Sequence, residues 1–585
     1  MAATSGFPFA SRPEVTVDGT PLPADVVPSL SEVVVEGHLH LPDMFVLTFH
    51  DAKPDLAKRA GLRFGSKIAV KATRDGDGVM KTLVLGEITA LEREADTSGI
   101  RTVARGYDLS YRLSRGRRTR TFADVTDADI VRRIAGDAGI DLGEVTDDGP
   151  SYEHVAQMNQ TDWEFLRGRA HETGHELAID GDKLVWHKPE QSDAAPPSGQ
   201  DMSAPPQPLQ LMLGSNLRRF RPRVTAAAQV GQVQVRGWDP NAKQAVTGLA
   251  QASTASATVG VGPEELASTF TAPPHVVVDY AVTSQSEADA LAAAVAEQIA
   301  CSHAEADGVA LGDPSLTPGT AVSVGCVGWP HDGSYVLTTT RHLYDRTGYH
   351  TSFTVSGRQE RSLLGLTSMG ATKGSHRASG PQIPGVVIGQ VTDVNDPDHQ
   401  FRVKVSLPWL SDDYESWWAR VATPGAGNGR GMAWLPEVGD EVLVAFGHAD
   451  SRTPYVIGGL YNGVDKAPGS DQLIDGGTGR VVRRGLVSRA GHQLLMSDDD
   501  SAPQVKLATG DGKLTLTLDA SQTTITIDSQ GTVTIHGQTG VEISSDNNSD
   551  ISISAAGGLK LSAQTGVTID GGPQVAVTGD VIKLN

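Results

Sequence analysis

Nine short alternating segments near the C-terminus constrain this chain more than any other feature. They begin at Leu514, Ile525, Thr532, Val541, Ile551, Leu559, Val567, Val575 and Val581, and from Ile551 to Val575 the step is 8 residues each time. Gly, Asn, Asp, Gln and Ser fill the gaps, the residues that turn a chain sharply. Each segment alternates with period 2, so one face is apolar and the other carries Thr, Ser, Lys or Glu. A four-residue strand cannot bury that face alone. Stacked rungs can, as in solenoids and β-helices.

Two stackings satisfy the pattern. One chain can wind three 8-residue sides per coil, or three chains can each supply one side of a triangular prism; the spacing leaves both open. In the three-chain form each layer buries the same residue from all three chains, at roughly 1.5–3 kcal/mol per fully buried large aliphatic side chain. Strand edges then pair everywhere except at the tip. The expected core side chains are Val541, Ile551, Leu559, Val567 and Val575. No Phe, Tyr or Trp follows Tyr461, which suits a core too narrow for rings. Either product is a stiff rod, and a stiff rod suggests a mechanical task.

At 585 residues the chain exceeds one ordinary domain and should divide into three or more. Hydrophobic content of 39% and charged content of 20% describe a soluble globular protein. A net charge of −21 argues against broad affinity for nucleic acid or anionic membranes. The N-terminal MAATSGFPFASRPEV lacks a basic region followed by an apolar core, so no cleavable secretory signal is expected. The longest apolar run, 288–300, is interrupted by Asp289 and Glu297. Two cysteines, Cys301 and Cys326, cannot build a disulfide framework and read as core residues. The expectation is a protein made and folded in the cytoplasm that leaves the cell, if it does, without a cleaved leader.

Residues 1–110 read as β structure, with strands around 15–19, 31–51, 67–73 and 81–92. His38 and His40, two apart, are expected on an exposed strand face rather than at a metal, because no third ligand is near. Thr126 should cap a helix with Ile130, Ile134 and Ala138 on one face, ending at Gly139. Thr161 and Glu164 form a capping box for a second helix over 162–172, whose buried stripe is Trp163, Leu166 and Ala170 and whose stop is Gly174. A third helix, 287–301, is capped by Ser284.

His171-Glu172-Thr173-Gly174-His175 fits the zinc-protease pattern H-E-x-x-H. Zinc chemistry requires both histidines on one face of a continuing helix. Gly174 breaks that helix and His175 opens the strand-like HELAID, so the match is read as accidental; a zinc metalloprotease through His171, Glu172 and His175 stays as an alternative.

A Pro/Ser/Gln-rich boundary covers 191–208, and further strands fall at 223–240, 319–329, 334–344 and 350–357. The block 385–463 holds five short strands with Gly and Pro punctuation, the pattern of an OB-type barrel. Its GAGNGRG stretch from Gly425 lacks the surrounding strand-turn-helix of a phosphate loop and is expected to be a flexible loop. Trp409, Trp417 and Trp418 lie among few basic residues, so single-stranded nucleic acid is not expected as a partner. The expected division is 1–190, a first hub domain; 191–367, a second hub β-barrel with one helix; 368–384, a linker; 385–463, the OB fold; 464–493, a neck; and 494–585, the β-helix needle.

Four stretches carry a resemblance. They are QMNQTDWEFL (157–166) with AHETG (170–174); VQVRGWDP (233–240) with Lys243; GSYVLTTTRH (333–342) with GYHTSF (348–353); and, in the barrel, RVKVSLPW (402–409), WARV (418–421), PEVGDEVLV (436–444) and PYVIGGLY (454–461). In this order they resemble the VgrG-type spike proteins of contractile injection systems, relatives of the hub and puncturing spike of contractile-tailed phages. The resemblance implies a mainly β homotrimer: two hub domains forming a pseudo-hexameric ring on the inner tube, an OB barrel, and an intertwined three-chain β-helix capped by a PAAR-type tip protein. Ile582, Leu584 and Asn585 are the expected tip contacts. Partners implied are inner tube and baseplate proteins, the tip protein, effector cargo and the target cell envelope, with no cofactor.

Some members of that family carry a catalytic domain after the needle. This chain stops at Asn585 after its last rung, and only the short stretch 464–493 separates barrel from needle, so no enzymatic activity is expected. The short needle resembles that of extracellular, phage-tail-like particles more than that of an envelope-anchored type VI system. A receptor-binding tail fibre would share the rod and lack the hub motifs.

Overall fold

The computed structural model describes residues 13–51, 55–74, 79–97, 99–199, 206–270, 273–358, 383–547 and 549–583. Most of the expected linker, 368–382, lies outside the described residues. The chain forms two compact units, residues 1–462 and 463–585.

The first unit is organised on an 11-stranded sheet. Strand Leu30–His38 sits inside it. On one side run Met44–His50, Gly99–Asp108, Met80–Asp96, Lys67–Thr73 and Glu14–Val17, with Thr20–Pro21 at the edge. On the other run Thr339–Asp345, Gly348–Val355, Ala304–Leu311 and Leu217–Val224. The mainly β hub is as expected. Local patterns do not convey that both hub segments share this sheet, so the division at 190/191 falls within one folded body. Thr340 pairs with Gly37 and His342 with Val35, partners from opposite ends of the hub sequence, and no local signal announces such a pairing. Tyr344 and Tyr349, from the later segment, stack at 4.0 Å inside the core made by Phe45, Leu47 and Ile68.

The capped helices form where expected. Helix Asp127–Ala138 starts at Thr126 and ends at Gly139; helix Asp162–Thr173 has the Thr161/Glu164 box and ends at Gly174. Gly174 adopts φ +73°, a left-handed conformation that only glycine takes without strain. Helix Gln285–Ala300 lies on strands Gln232–Asp239 and Gln244–Gln251. It approaches so closely that a Cβ on Gly248 would sit 2.1 Å from the Ala288 carbonyl oxygen. Two short helices, Leu56–Arg59 and Pro263–Thr269, have no counterpart among the sequence expectations.

His38 and His40 depart from expectation. Strand Leu30–His38 ends at His38, and His40 lies in the turn that follows, half-buried, with its backbone N–H donating to His38 Nδ1 at 2.8 Å. Pro42 and Asp43 bend the chain here; Asp43 Oδ1 accepts from the His38 backbone N–H at 2.9 Å. Alternation alone continues the strand through this turn, because it carries no information about the bend.

Strands Val386–Asp393, Arg402–Ser406, Ala419–Val421, Pro454–Gly459 and Glu441–Phe446 close into a barrel. Its core holds Val403, Val405, Leu407, Tyr414 and Val444, joined by Ala156 and Met158 from the hub. The stretch from Gly425 is not a loose loop: Ala426–Gly427 and Arg430–Gly431 pair as a small hairpin. No helix among the described residues is long and apolar enough to cross a membrane. Cys301 is buried, Cys326 is half-buried, and neither forms a disulfide.

Candidate functional site: an exposed aliphatic ladder

The second unit opens with a five-stranded antiparallel meander of Arg483–Val487, Gln493–Ser497, Gln504–Ala508, Leu514–Asp519 and Thr524–Ser529. Residues opposite one another in such a ladder share a face. The register aligns Leu486, Leu494, Leu507, Leu516 and Ile527 in one row, and Arg484, Met496, Val505, Leu518 and Ile525 in the next. The opposite face carries Leu495, Lys506, Thr517 and Thr526 in one row, and Val487, Gln493, Ala508, Thr515 and Asp528 in another. One face is thus aliphatic but for Arg484, and the other is mixed, with its polar side chains concentrated on the last two strands. In the single chain the aliphatic one is uncovered: Leu507 is 54% exposed and Ile527 61%. Leu514 and Ile525 therefore lie on paired strands of one in-chain antiparallel meander, and the meander straddles the expected 493/494 boundary. Period-2 alternation does not specify which partner a strand takes.

From 530 to 583 no strand pairing occurs among the described residues. The expected core residues Val541, Ile551, Leu559, Val567 and Val575 are 51–59% exposed. Their neighbours two residues on, Ile543, Ile553, Leu561, Ile569 and Val577, are exposed as well. Ile582 is exposed; Leu584 and Asn585 lie outside the described residues. Such a run of uncovered aliphatics exceeds the scattered exposure normal for a protein surface.

The H-E-x-x-H residues are arranged against zinc binding. The turn at Gly174 carries His175 off the helix into the core, where its ring stacks on Trp186 at 5.0 Å. Its Nε2 lies 2.8 Å from Asp148 Oδ1 and its Nδ1 2.9 Å from Thr173 Oγ1, so both nitrogens are engaged. Glu172 accepts from Arg169 at 2.6 Å and faces Arg452 at 3.6 Å, which occupies the carboxylate that a general base would need. Burial lowers the His175 pKa, helped by Lys188 and opposed by Asp148. Among the described residues no group of three or more His, Cys, Asp or Glu is placed to hold a metal ion.

What sequence reading missed is the ionic joint built on that helix. Arg169 donates to Asp127 at 2.7 Å and to Glu172, and its guanidinium lies 4.3 Å from the Tyr152 ring. Glu172 in turn faces Arg452, which donates to Asp450 at 2.6 Å in the barrel. Burial opposes the Arg169 charge, but Asp127, with Tyr152 and Glu172, raises its pKa above the ordinary guanidinium value. A second link is Trp417, whose Nε1 donates to Glu153 at 2.9 Å. The expected buried stripe of Trp163, Leu166 and Ala170 does mark the apolar side of the helix. Its charged side gives no sequence signal, because each partner comes from a different element.

The motif residues turn out to be packing devices. Gln157 Nε2 donates to Asp162 Oδ1 at 2.9 Å, and Arg120 bridges both side chains. His342, buried, accepts at Nδ1 from the Tyr349 hydroxyl at 2.9 Å and donates from Nε2 to the Leu316 carbonyl at 3.0 Å. Burial depresses its pKa to about 4. In the barrel Arg402 forks onto Asp396 at 3.0 and 2.6 Å and holds that carboxyl down to about 2.

The closed barrel, over residues 387–461, matches the profile of the type VI secretion system/phage-baseplate injector OB domain. That of the Alg8 N-terminal domain matches residues 14–345, more than half of the chain. A spike protein VgrG3 of the type VI secretion system from Vibrio cholerae serotype O1 is 32% identical over 132 residues, 21% of this chain and 13% of that protein. The Pseudomonas aeruginosa spike protein VgrG4b is 39% identical over 87 residues, 14% of this chain and 11% of its own. The matched segments thus span only a small fraction of these curated relatives. Among solved structures, a chain of the Francisella PdpA–VgrG complex in its lidded form matches 89% of this chain and 80% of its own, at 9% identity and a TM-score of 0.51. The lidless form matches 90% of this chain and 100% of its own, at 9% identity and a TM-score of 0.50. These two likenesses concern the fold. The injector OB profile covers the barrel; with the Alg8 N-terminal profile over more than half of its length, the chain belongs to the Alg8 N-terminal domain family.

Proposed function

We propose that the protein is the trimeric, non-enzymatic spike of a contractile injection particle. The hub would seat on the inner tube and baseplate, the barrel would join hub to needle, and the C-terminal ladder would be the needle. The observation that carries this reading is the ladder itself: aliphatic pairs at an 8-residue step, uncovered in one chain. A self-contained coil would pair each segment with another in the same chain, and residues 530–583 show no such pairing among those described. Two sister chains supply what is missing. Val541, Ile551, Leu559, Val567 and Val575 then face the axis, each at a gain of roughly 1.5–3 kcal/mol when fully buried.

Force is the product. Contraction of a sheath drives the tube, and the needle concentrates the load on a small area of target envelope. Pairing that leaves an edge only at the tip makes local unfolding along the shaft costly. The tip, near Ile582, Leu584 and Asn585, would take a PAAR-like protein, with effectors as cargo. The particle would act outside the producing cell.

The mass of the purified protein tests the reading. Three times the single-chain mass of 61.5 kDa is expected. A stable, fully folded monomer would sink it. A tail fibre is separated by deletion. Loss of a spike abolishes particle assembly, whereas loss of a fibre leaves assembled particles that fail to attach.

A further inference from the structure

Within the first unit, hub and barrel do not meet along the whole of their seam. Between them lies a cleft of about 650 Å³, inside the roughly 300–1,000 Å³ typical of ligand sites. Strand Gln232–Asp239 lines it from the hub, strands Ala419–Val421 and Pro454–Gly459 from the barrel, and the start of strand Ser151–Gln160 joins the two. The spacing of the walls is fixed from within. That joining strand sets Tyr152 against Arg169 in the hub and sends Ala156 and Met158 into the barrel core. Gln400 Nε2 also donates to Asn241 Oδ1 at 3.1 Å from barrel to hub.

The charges that line the cleft differ in what they lack. Its three carboxylates are all engaged. Glu153 accepts from Trp417, Asp239 from the backbone N–H groups of Asn241 and Ala242 at 2.8 and 3.1 Å, and Glu287 from that of Thr283 at 3.0 Å. Arg402 and Arg452 are engaged too, by Asp396 and Asp450. Arg236 and Arg420 are exposed and form no hydrogen bond or ion pair among the described residues. A cleft with its acceptors satisfied and two guanidinium groups left over suits an anion.

Each of these cations comes with a ring. Arg236 and Trp238 leave the same face of one strand two residues apart, about 7 Å along it, and Trp238 is 49% exposed. On the barrel side Arg420 and Tyr455 are ladder partners, with the guanidinium 5.9 Å from the ring centre. An extended peptide has the same period: an acidic side chain on Arg236 brings the side chain two positions on over Trp238. A small anion would use the cations and leave the rings bare. A nucleic-acid strand would carry a phosphate at every nucleotide past Glu153, Asp239 and Glu287, with two free cations to meet them.

We propose that this cleft binds an extended acidic–aromatic segment of a partner protein, its carboxylates held by Arg236 and Arg420 and its rings stacked on Trp238 and Tyr455. The inference deepens the spike reading, in which other proteins ride on the particle, and rests on it for the source of the segment alone.

The test uses the full-length protein and a blocked hexapeptide, Glu-Asp-Phe-Phe-Glu-Asp, which shows acid and ring on both faces when extended. Isothermal titration calorimetry at low salt is expected to give a Kd below about 100 μM. The uncharged analogue Gln-Asn-Phe-Phe-Gln-Asn, and the variant Arg236→Gln/Arg420→Gln with the acidic peptide, should each bind at least about 30-fold more weakly. Trp238→Ala should weaken binding by about 10-fold. Both variants should keep the parental unfolding transition of the first unit. Absence of binding by the acidic peptide, an unchanged Kd in the arginine variant, or equal binding of a hexathymidylate strand overturns the proposal. So does dissociation of the arginine variant into single chains, which would assign the cleft to a contact between copies. A monomeric parent that still binds the peptide would sink the spike reading and leave the site standing.

Discussion

Residues 1–462 enclose cores of large apolar side chains: Phe45, Leu47, Trp186 and Val403 are essentially inaccessible, and the exposed ones, such as Phe64, Phe270 and Trp329, lie outside them. In residues 463–585 the same chemistry faces outward, with Ile553 67% and Ile569 70% exposed. The first unit closes its sheet with pairings between the ends of the hub sequence and ties helix to barrel through Arg169, Glu172 and Arg452. The second has neighbouring-strand pairing at best and no closed core among its described residues. On the trimeric reading proposed above, the contrast separates a body whose stability is written within one chain from an extension whose stability depends on copy number. Concentration should affect the two differently, because binding to the native state stabilises by mass action.

The sharpest way to break this comparison is at the ionic joint. Asp127→Ala leaves Arg169 buried without its principal partner and should cost about 3–5 kcal/mol in denaturant unfolding of the first unit. The loss should not depend on protein concentration; a concentration-dependent loss would mean that the first unit also relies on its copies.

Paired truncations sharpen the contrast. Leu407→Ala, in the barrel core, should cost about 2–5 kcal/mol at any concentration. Val567→Ala should leave the barrel and hub transition unmoved and weaken only the concentration-dependent one, read by thermal melts at two protein concentrations.

Acid should act on the first unit in a defined window. His342 has a folded pKa of about 4 against 6.5 when free. The unfolded chain therefore binds a proton that the folded one refuses, and stability falls as pH drops through 6.5 toward 4. Below that the loss saturates at about 3 kcal/mol. His342→Gln should flatten this part of the stability profile; an unchanged slope across that window would show that His342 is not its source. Asp396, held near 2 by Arg402, adds a separate loss as pH falls from about 4 toward 2.

The smallest effect belongs to the helix cap. Thr161→Ala removes the acceptor for the Glu164 backbone N–H and should cost about 1 kcal/mol. Differential scanning calorimetry would place that loss in the first unit alone.

The same contrast governs how much was legible. Thr161, Glu164 and Gly174 lie within one helix, so cap, box and stop can be read from adjacent letters. The OB barrel is legible because its strands follow one another closely, between Pro and Gly. The joint of Arg169, Glu172 and Arg452 is not, since its charges meet only after hub and barrel fold. The expectation for His40 fails because alternation overruns Pro42. The partners of Leu514 and Ile525 are not legible for a related reason: alternation marks a strand without saying which neighbour it takes, and only the length of the strands and their turns points to an in-chain pair. Leu514–Asp519 and Thr524–Ser529 are long enough for a hairpin of their own.

Strand Leu30–His38 lies between Met44–His50 from its own half of the hub and Thr339–Asp345 from the other. It works as a seam. A load that pulls the early and late parts of the hub past each other along the strand axis meets the whole row of backbone bonds from Val33 to His38 at once, instead of opening them singly. A body stitched in this way can transmit a blow from one end to the other without coming apart along its own length.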